Sequence, residues 1–231
     1  MSAPAVTSAP APALGLPPGE RLKVNEIFYS LQGESTRAGL PCVLVRLTGC
    51  HLRCRWCDTA YAFYEGEWLS RAEVLSRVAA FGCPLVELTG GEPLLQPGAL
   101  PLLRDLCDAG YEVLLETSGA VDITPVDPRV RRIVDVKCPG SGEVDRNHWP
   151  NLDALRPTDE LKLVLAGEAD YQWARELVLG RELHRRCAVH FSPVAGELDP
   201  TTLAEWVLRD RLPVRLQLQL HKLLWGSARG V

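Results

Sequence analysis

The sequence lacks several features that mark whole classes of protein. No stretch reaches the roughly 18 consecutive apolar residues of a membrane-spanning helix, so we expect no membrane partner. Lys and Arg are scattered rather than run together and the net charge is −4, which indicates no nucleic-acid partner. The N-terminus lacks the charged and apolar regions of a secretory signal, so we expect a cytoplasmic protein with reduced thiols. Together these absences favour a small-molecule partner.

The composition predicts one domain behind a leader. Residues 1–20 are mostly Ala, Pro and Ser, which cannot bury much apolar surface and predicts a disordered leader. The remaining 21–231 belong to a chain with 46% apolar residues, enough for a single α/β domain.

Hydrophobic patterning predicts an α/β fold. Short apolar runs such as 85–88 and 132–136 suit strands buried on both faces, as in a parallel sheet wrapped by helices. Segment 138–157 lacks helical periodicity, which favours an incomplete barrel over a complete one, with an open doubly wound sheet as the alternative. We expect strands near 24–29, 42–48, 84–89, 111–117, 131–137, 160–165, 187–192 and 213–220, and helices near 71–81, 98–109, 169–182 and 200–209.

Three of the eight cysteines lie in one short loop. The run 49-GCHLRCRWCDT-59 places Cys50, Cys54 and Cys57 directly after an apolar strand, at the strand end where α/β folds build their sites. Thiolates are the usual ligands of iron–sulfur clusters, and three of them leave one corner of a four-iron cluster open. That iron could chelate a small molecule through an amino and a carboxylate group. The other five cysteines adjoin apolar runs and are expected to be buried hydrophobes.

Two other interpretations of the loop are weaker. A closed zinc site needs four ligands and normally a second C-x-x-C knuckle, which this sequence does not contain. A dithiol redox pair would use Cys54 and Cys57 but leave Cys50 unexplained. We therefore prefer a [4Fe-4S] cluster.

The cysteine spacing, with Trp56 before the last cysteine, resembles the signature of the radical S-adenosylmethionine (SAM) superfamily. The segment 85-LVELTGGEP-93 is similar to the second mark of that superfamily, whose glycines let backbone groups approach the methionine ammonium. The chain more closely resembles the 7-carboxy-7-deazaguanine synthase family, in the segments 25-NEIFYSLQGES-35, 46-RLTGC-50, 57-CDTAY-61, 116-ETSGA-120, 135-DVKCPGSG-142 and 217-QLQLHKLLWG-226.

The resemblance implies a partial, modified (β/α) barrel and a lyase of queuosine-precursor synthesis. The implied reaction converts 6-carboxy-5,6,7,8-tetrahydropterin to 7-carboxy-7-deazaguanine with loss of ammonia. It starts when a reduced cluster cleaves SAM to a 5′-deoxyadenosyl radical, which takes hydrogen from C6 of the pterin. Mg²⁺, a reductant such as flavodoxin and a homodimer are implied as well.

The resemblance also assigns residues to roles. Arg46 would pair with the substrate carboxylate, although it could be an exposed strand residue, and Thr59 would offer a hydroxyl to Mg²⁺, although it could cap a turn. The substrate would also contact Leu31, Gln32, Gly33, Glu34 and Thr89. SAM would contact Trp56, Cys57, Asp58, Gly91, Ser118, Asp135, Val136, Lys137, Phe191, Ser192, Pro193 and Val194.

Several details leave alternatives open. Trp56 could be a core residue, and segment 135–138 reads Asp-Val-Lys-Cys where some relatives carry Ser. The C-terminal run 215–226 alternates like a half-buried strand and resembles the family's substrate-closing segment, but its polar residues could face solvent. An activase of a glycyl-radical enzyme and a non-enzymatic iron–sulfur electron carrier are the competing functions. A carrier would need all four irons ligated by protein.

Overall fold

The computed structural model describes residues 15–231. The predicted leader falls mainly on 1–14, which lie outside the described residues. A 3-10 turn, Pro18–Glu20, precedes the first strand at Arg21, where the sequence predicts that the domain begins.

Nine strands form one open sheet in the order β3-β1-β2-β4-β5-β6-β7-β8-β9. β1 pairs antiparallel with both β2 and β3. All the other pairs, from β2 with β4 through to β8 with β9, are parallel. The sheet does not close, which confirms the predicted partial barrel. The strands are β1 Arg21–Leu31, β2 Pro41–Leu47, β3 Glu67–Ser70, β4 Leu85–Gly90, β5 Glu112–Thr117, β6 Arg131–Val136, β7 Glu160–Leu165, β8 Ala188–Pro193 and β9 Arg215–Leu216.

Helices pack on the outer face of the sheet. Ser70 caps α1 by accepting from the Glu73 N–H while the Glu73 side chain accepts from the Ser70 N–H, the capping box that the sequence predicts. The outer-facing residues of the strands form two apolar clusters, one against α1 and α2 and one against α3 and α4. The helices are α1 Arg71–Ala79, α2 Ala99–Asp108, α3 Glu168–Gly180, α4 Pro200–Arg209 and α5 Leu220–Trp225.

Two crossovers contain no α-helix. Three short 3-10 turns between Pro139 and Leu152 replace the helix between β6 and β7, which confirms the interpretation of 138–157. An irregular segment joins β5 to β6. The partial barrel therefore has no α-helix in these two crossovers, next to the cysteine loop.

The structure corrects the sequence prediction at two places. The strand predicted over 213–220 is wrong, because only Arg215–Leu216 pair with β8 and the chain then turns into α5. The turn is made where the Leu220 N–H donates to the Gly33 carbonyl instead of to β8. The four-residue edge strand β3 is also absent from the prediction.

Among residues 15–231, none of the helices combines the length and the apolar character that crossing a membrane requires.

Candidate active site

A cavity of about 850 Å³ opens at the carboxyl ends of the parallel strands. Alternation along each strand sends one set of side chains outward to the helices and the other set into the cavity. In β2 the cavity residues are Leu44 and Arg46, in β4 they include Glu87 and Thr89, and in β7 they are Lys162 and Val164. The inner face of the sheet is therefore the wall of the site.

The three loop cysteines line this cavity together. All three are unpaired thiols of intermediate exposure, whereas Cys42, Cys83, Cys138 and Cys187 are buried elsewhere. Burial raises the pKa of the Cys50 and Cys54 thiols, and in both cases the Lys137 ammonium opposes the shift. Two backbone contacts hold the loop in place: the Arg53 N–H donates to Glu143 and the Arg55 N–H donates to the Ser141 carbonyl.

The Gly-Gly-Glu-Pro turn packs directly on the cysteine loop. The Glu92 N–H donates to the Gly49 carbonyl at 2.8 Å. A Cβ atom added to Gly91 would lie 2.3 Å from the Gly49 carbonyl oxygen and 2.7 Å from Cys50 Cβ. No side chain fits in this space, so glycine is required for the contact between turn and loop.

Glu92 ties the turn to the end of β5. Its buried carboxylate accepts from the Leu94 N–H at 2.9 Å, from Thr117 Oγ1 at 2.8 Å and from the Ser118 N–H at 2.7 Å, as well as from the Ser118 hydroxyl. Ser118, a predicted SAM contact, lines the cavity with its hydroxyl already engaged. Glu92 thus fixes the relative position of two strand ends.

A charged pair lies at the end of β6. Lys137 Nζ is 2.6 Å from Asp135 Oδ2, and the pKa of Lys137 is raised because Asp135 and the Cys54 thiol outweigh its desolvation. Asp135 Oδ1 is buried with no hydrogen-bond partner among the described residues. It is an acceptor that hydroxyl or amine donors of a bound cofactor would satisfy.

These observations fit a thiolate-bound cluster with SAM beside it. Three free thiols face one cavity, and the Lys137 ammonium can balance the negative charge of thiolates. The Gly91 turn and the unpartnered Asp135 Oδ1 line the same cavity. Within the described chain, no group of three or more His, Cys, Asp and Glu side chains converges on a single metal ion, and in a cluster the three thiols would instead bind three separate irons. Thr59 lies 3.8 Å from Cys57 Sγ, and its Mg²⁺ role stays a prediction.

The predicted substrate residues line the opposite wall of the cavity. Gln32 is buried and donates to Glu87 at 2.7 Å, while its oxygen accepts from the Glu34 N–H at 2.8 Å. Arg46 Nε donates to Glu26 at 2.7 Å, so Arg46 is an ion-paired cavity residue and not an exposed strand residue. Its pKa is raised although burial opposes this, because Tyr61 and Glu26 lie close. Leu31, Gly33 and Thr89 are in the same wall.

Three charged wall residues were not identified from the sequence. Glu87, Glu116 and Lys162 lie inside otherwise apolar strands and their side chains point into the cavity. Burial raises the pKa of Glu87 to about 8, with the Glu116 carboxylate adding to the effect. The available signal was polar residues two positions apart in an apolar run, Glu87 and Thr89 in β4 and Glu160 and Lys162 in β7.

The C-terminal segment covers the site. Gln219 Nε2 donates to Glu34 at 2.9 Å, and Lys222 Nζ lies 2.9 Å from Asp58. A Cβ atom on Gly33 would meet the His221 ring at 3.0 Å. Gln219, His221 and Lys222 therefore face the cavity rather than the solvent-exposed side of a strand.

Four predicted SAM residues lie outside the cavity lining. Val136 and Phe191 belong to the buried apolar cluster beside α3, and the Ser192 hydroxyl donates to the Gln217 carbonyl. Pro193 is buried in β8. Their roles remain predictions, whereas the other predicted SAM residues, Trp56, Cys57, Asp58, Gly91, Ser118, Asp135, Lys137 and Val194, all line the cavity.

Residues 44–139 match the family model described as the radical SAM superfamily. The 7-carboxy-7-deazaguanine synthase of Chlorobaculum tepidum is 52% identical over 214 residues, which cover 91% of this chain and 97% of that protein. The synthase of Koribacter versatilis is 46% identical, with 88% and 97% covered. The crystal structure of QueE from Escherichia coli superposes with a TM-score of 0.68 at 24% identity, covering 87% and 95%. By these similarities the chain belongs to the 7-carboxy-7-deazaguanine synthase family, within the radical SAM superfamily.

Proposed function

We propose that this protein converts 6-carboxy-5,6,7,8-tetrahydropterin to 7-carboxy-7-deazaguanine with loss of ammonia. One observation carries the proposal: the cysteine loop and the Gly-Gly turn share a single cavity with a wall rich in Arg, Gln and Glu side chains. The cysteine loop and the Gly-Gly turn would bind SAM and its cluster, and the wall would bind a polar heterocycle that carries a carboxylate. The product is the one that the related 7-carboxy-7-deazaguanine synthases are named for.

Cys50, Cys54 and Cys57 would hold the [4Fe-4S] cluster, and the open iron would take SAM. When bound, the reduced cluster and SAM supply a carbon radical that removes one hydrogen atom from the substrate. The residues of the chain bind and orient the substrate and shield the radical from water. The Gly91 turn offers backbone groups to the methionine end, and Asp135 offers its unpartnered oxygen.

Arg46 would bind the substrate carboxylate. Its Nε is engaged by Glu26, which fixes the plane of the guanidinium, and the other nitrogen donors can form a bidentate contact. Gln32 and Glu34 follow directly on β1, and Lys162 and Gln219 hold the Glu34 carboxylate. We propose that this wall binds the amino-pyrimidine half of the pterin.

The remaining requirements are part of the same proposal. Thr59 would contribute one oxygen to a Mg²⁺ ion, which would supply positive charge beside the substrate, since Mg²⁺ keeps most of its waters and needs few protein ligands. An external reductant such as flavodoxin would supply the electron. The homodimer and the cytoplasmic location stay predictions.

Anaerobic turnover tests the proposal. The reconstituted, reduced protein is incubated with SAM and the carboxytetrahydropterin, and we expect the deazaguanine product by absorbance and mass. Cys54→Ala is expected to abolish product, whereas Cys107→Ala, which changes a thiol outside the cavity, should retain nearly full activity. Formation of 5′-deoxyadenosine only when a glycyl-radical partner protein is added would instead support the activase.

A further inference from the structure

Lys162 lies at the centre of the substrate wall. It projects from the middle of β7 with its side chain 7% exposed. Its Nζ atom lies 2.6 Å from Glu116 Oε1 on β5 and 2.8 Å from Glu34 Oε2 in the loop after β1. One buried cation therefore joins two carboxylates that come from distant parts of the chain.

The second oxygen of each carboxylate is also held. Glu116 Oε2 accepts from the Thr89 hydroxyl at 3.2 Å, and Glu34 Oε1 accepts from Gln219 at 2.9 Å. Both carboxylates line the cavity. A carboxylate oxygen has more than one acceptor site, so these contacts orient the groups and leave them able to accept from a ligand.

Charge explains why the cation is needed. Burial alone would raise the pKa of Glu116, but the Lys162 ammonium lowers it below the ordinary value. Glu87 lies close by and adds a third carboxyl to the same wall. Glu87 already holds a proton at neutral pH because its pKa is raised to about 8. Without Lys162, Glu116 would take up a proton as well, because no ammonium at this distance would oppose the effect of burial. The titratable and charged groups facing this cluster are Glu34, Arg46, Asp58, Glu87, Glu116, Asp135 and Lys137.

We infer that Lys162 is a positioning residue for substrate specificity: it holds the Glu34 and Glu116 carboxylates in place as paired acceptors for adjacent N–H donors of the substrate, and it keeps Glu116 ionised. This inference rests on the proposed function, in which the substrate carries an amino-pyrimidine edge with such donors. A protonated carboxyl would present a donor there and would bind that edge poorly.

The test is a pH series on Lys162→Met. At neutral pH we expect the KM for the carboxytetrahydropterin to rise about tenfold or more, with kcat reduced no more than about threefold. The ratio of the variant KM to the wild-type KM should fall between about pH 6.5 and about pH 8.5, because rising pH restores the ionised Glu116 carboxylate. Direct titration of the reconstituted proteins with the pterin, without reductant, should show the same trend in Kd.

Two further variants serve as controls. Lys162→Arg keeps the cation and should recover most of the affinity. Lys23→Met removes a strand lysine whose amine donates to the Tyr64 carbonyl outside the cavity, and it should leave KM and its pH dependence unchanged. If Lys162→Met does not fold, the series is run on Lys162→Gln, which removes the charge but keeps donors.

The outcomes separate the two proposals. A KM ratio that does not change with pH, or a loss confined to kcat, would overturn the positioning role while the wild type still forms product. If the wild type neither binds the pterin nor forms product, the proposed function fails. Equal weakening of SAM binding and pterin binding would show a general structural role for Lys162 and would also overturn the inference.

Discussion

The ammonium of Lys222 lies 2.9 Å from Oδ2 of Asp58, and this contact joins the C-terminal helix to the cysteine loop. Asp58 directly follows Cys57, the last of the three loop cysteines. Its pKa is held below the ordinary value by Lys222, although desolvation opposes the shift. The ion pair therefore couples the segment that covers the substrate to the loop proposed to hold the cluster.

Removing the Lys222 cation should weaken the closure of the C-terminal segment over the cavity. For Lys222→Met we expect a severalfold rise in the substrate KM and more 5′-deoxyadenosine released without product, because water enters a site that is less well closed. The ratio of 5′-deoxyadenosine to product measures this uncoupling. Arg185→Met breaks an exposed ion pair with Glu182 far from the cavity and should change neither quantity.

Gly91→Ala tests the contact between turn and loop. The added methyl would overlap the Gly49 carbonyl, so one of the two backbones must move. We expect SAM affinity to fall by about tenfold or more, since a small displacement of a positioned ligand is costly. Gly167→Ala adds a methyl group where no atom lies within 4 Å. If both variants bound SAM equally well, the turn would not be part of the SAM site.

Glu92→Gln tests the clamp between β4 and β5. The amide keeps the shape but loses the charge and one acceptor, which leaves donors of Thr117 and Ser118 poorly satisfied. We expect a loss of stability on the order of 2 kcal/mol and weaker SAM binding. Glu176→Gln, at an exposed position on α3, is the matched control for denaturation midpoints.

Glu87 should make stability depend on pH. Its folded-state pKa of about 8 lies above the ordinary value of 4.5, so between these values the folded state holds a proton that the unfolded state has released. Stability from this group therefore falls as pH rises through that window. Glu87→Gln should remove this pH-dependent component. The denaturation midpoint of the variant should therefore rise relative to that of the wild type from about pH 5 to about pH 8. A constant difference between the two proteins would contradict the raised pKa.

The sequence was informative where function depends on neighbours along the chain. The three cysteines are separated by a few residues, and the Gly-Gly turn follows an apolar strand, so both could be recognised and placed at strand ends. The parallel order, the missing helix after β6 and the capping box of α1 also follow from local patterns.

What could not be predicted depends on contacts across the sheet. Lys162 reaches Glu116 across β6, a relationship set by the register of three strands. The run 217–220 alternates like a strand, yet the Leu220 N–H is captured by Gly33, nearly two hundred residues earlier. Likewise, Phe191 alternates into the apolar cluster rather than the cavity, and periodicity alone does not tell which face of β8 is inward.

Electron paramagnetic resonance of the reduced protein, with and without SAM, tests the central claim most directly. Three cysteine ligands leave one iron for the cofactor, so the signal of a four-iron cluster should change its g-values when SAM is added. Cys50→Ala, Cys54→Ala and Cys57→Ala should each lose this behaviour, and Cys107→Ala should keep it. A cluster signal that is indifferent to SAM, or stoichiometric zinc in place of iron, would contradict the account.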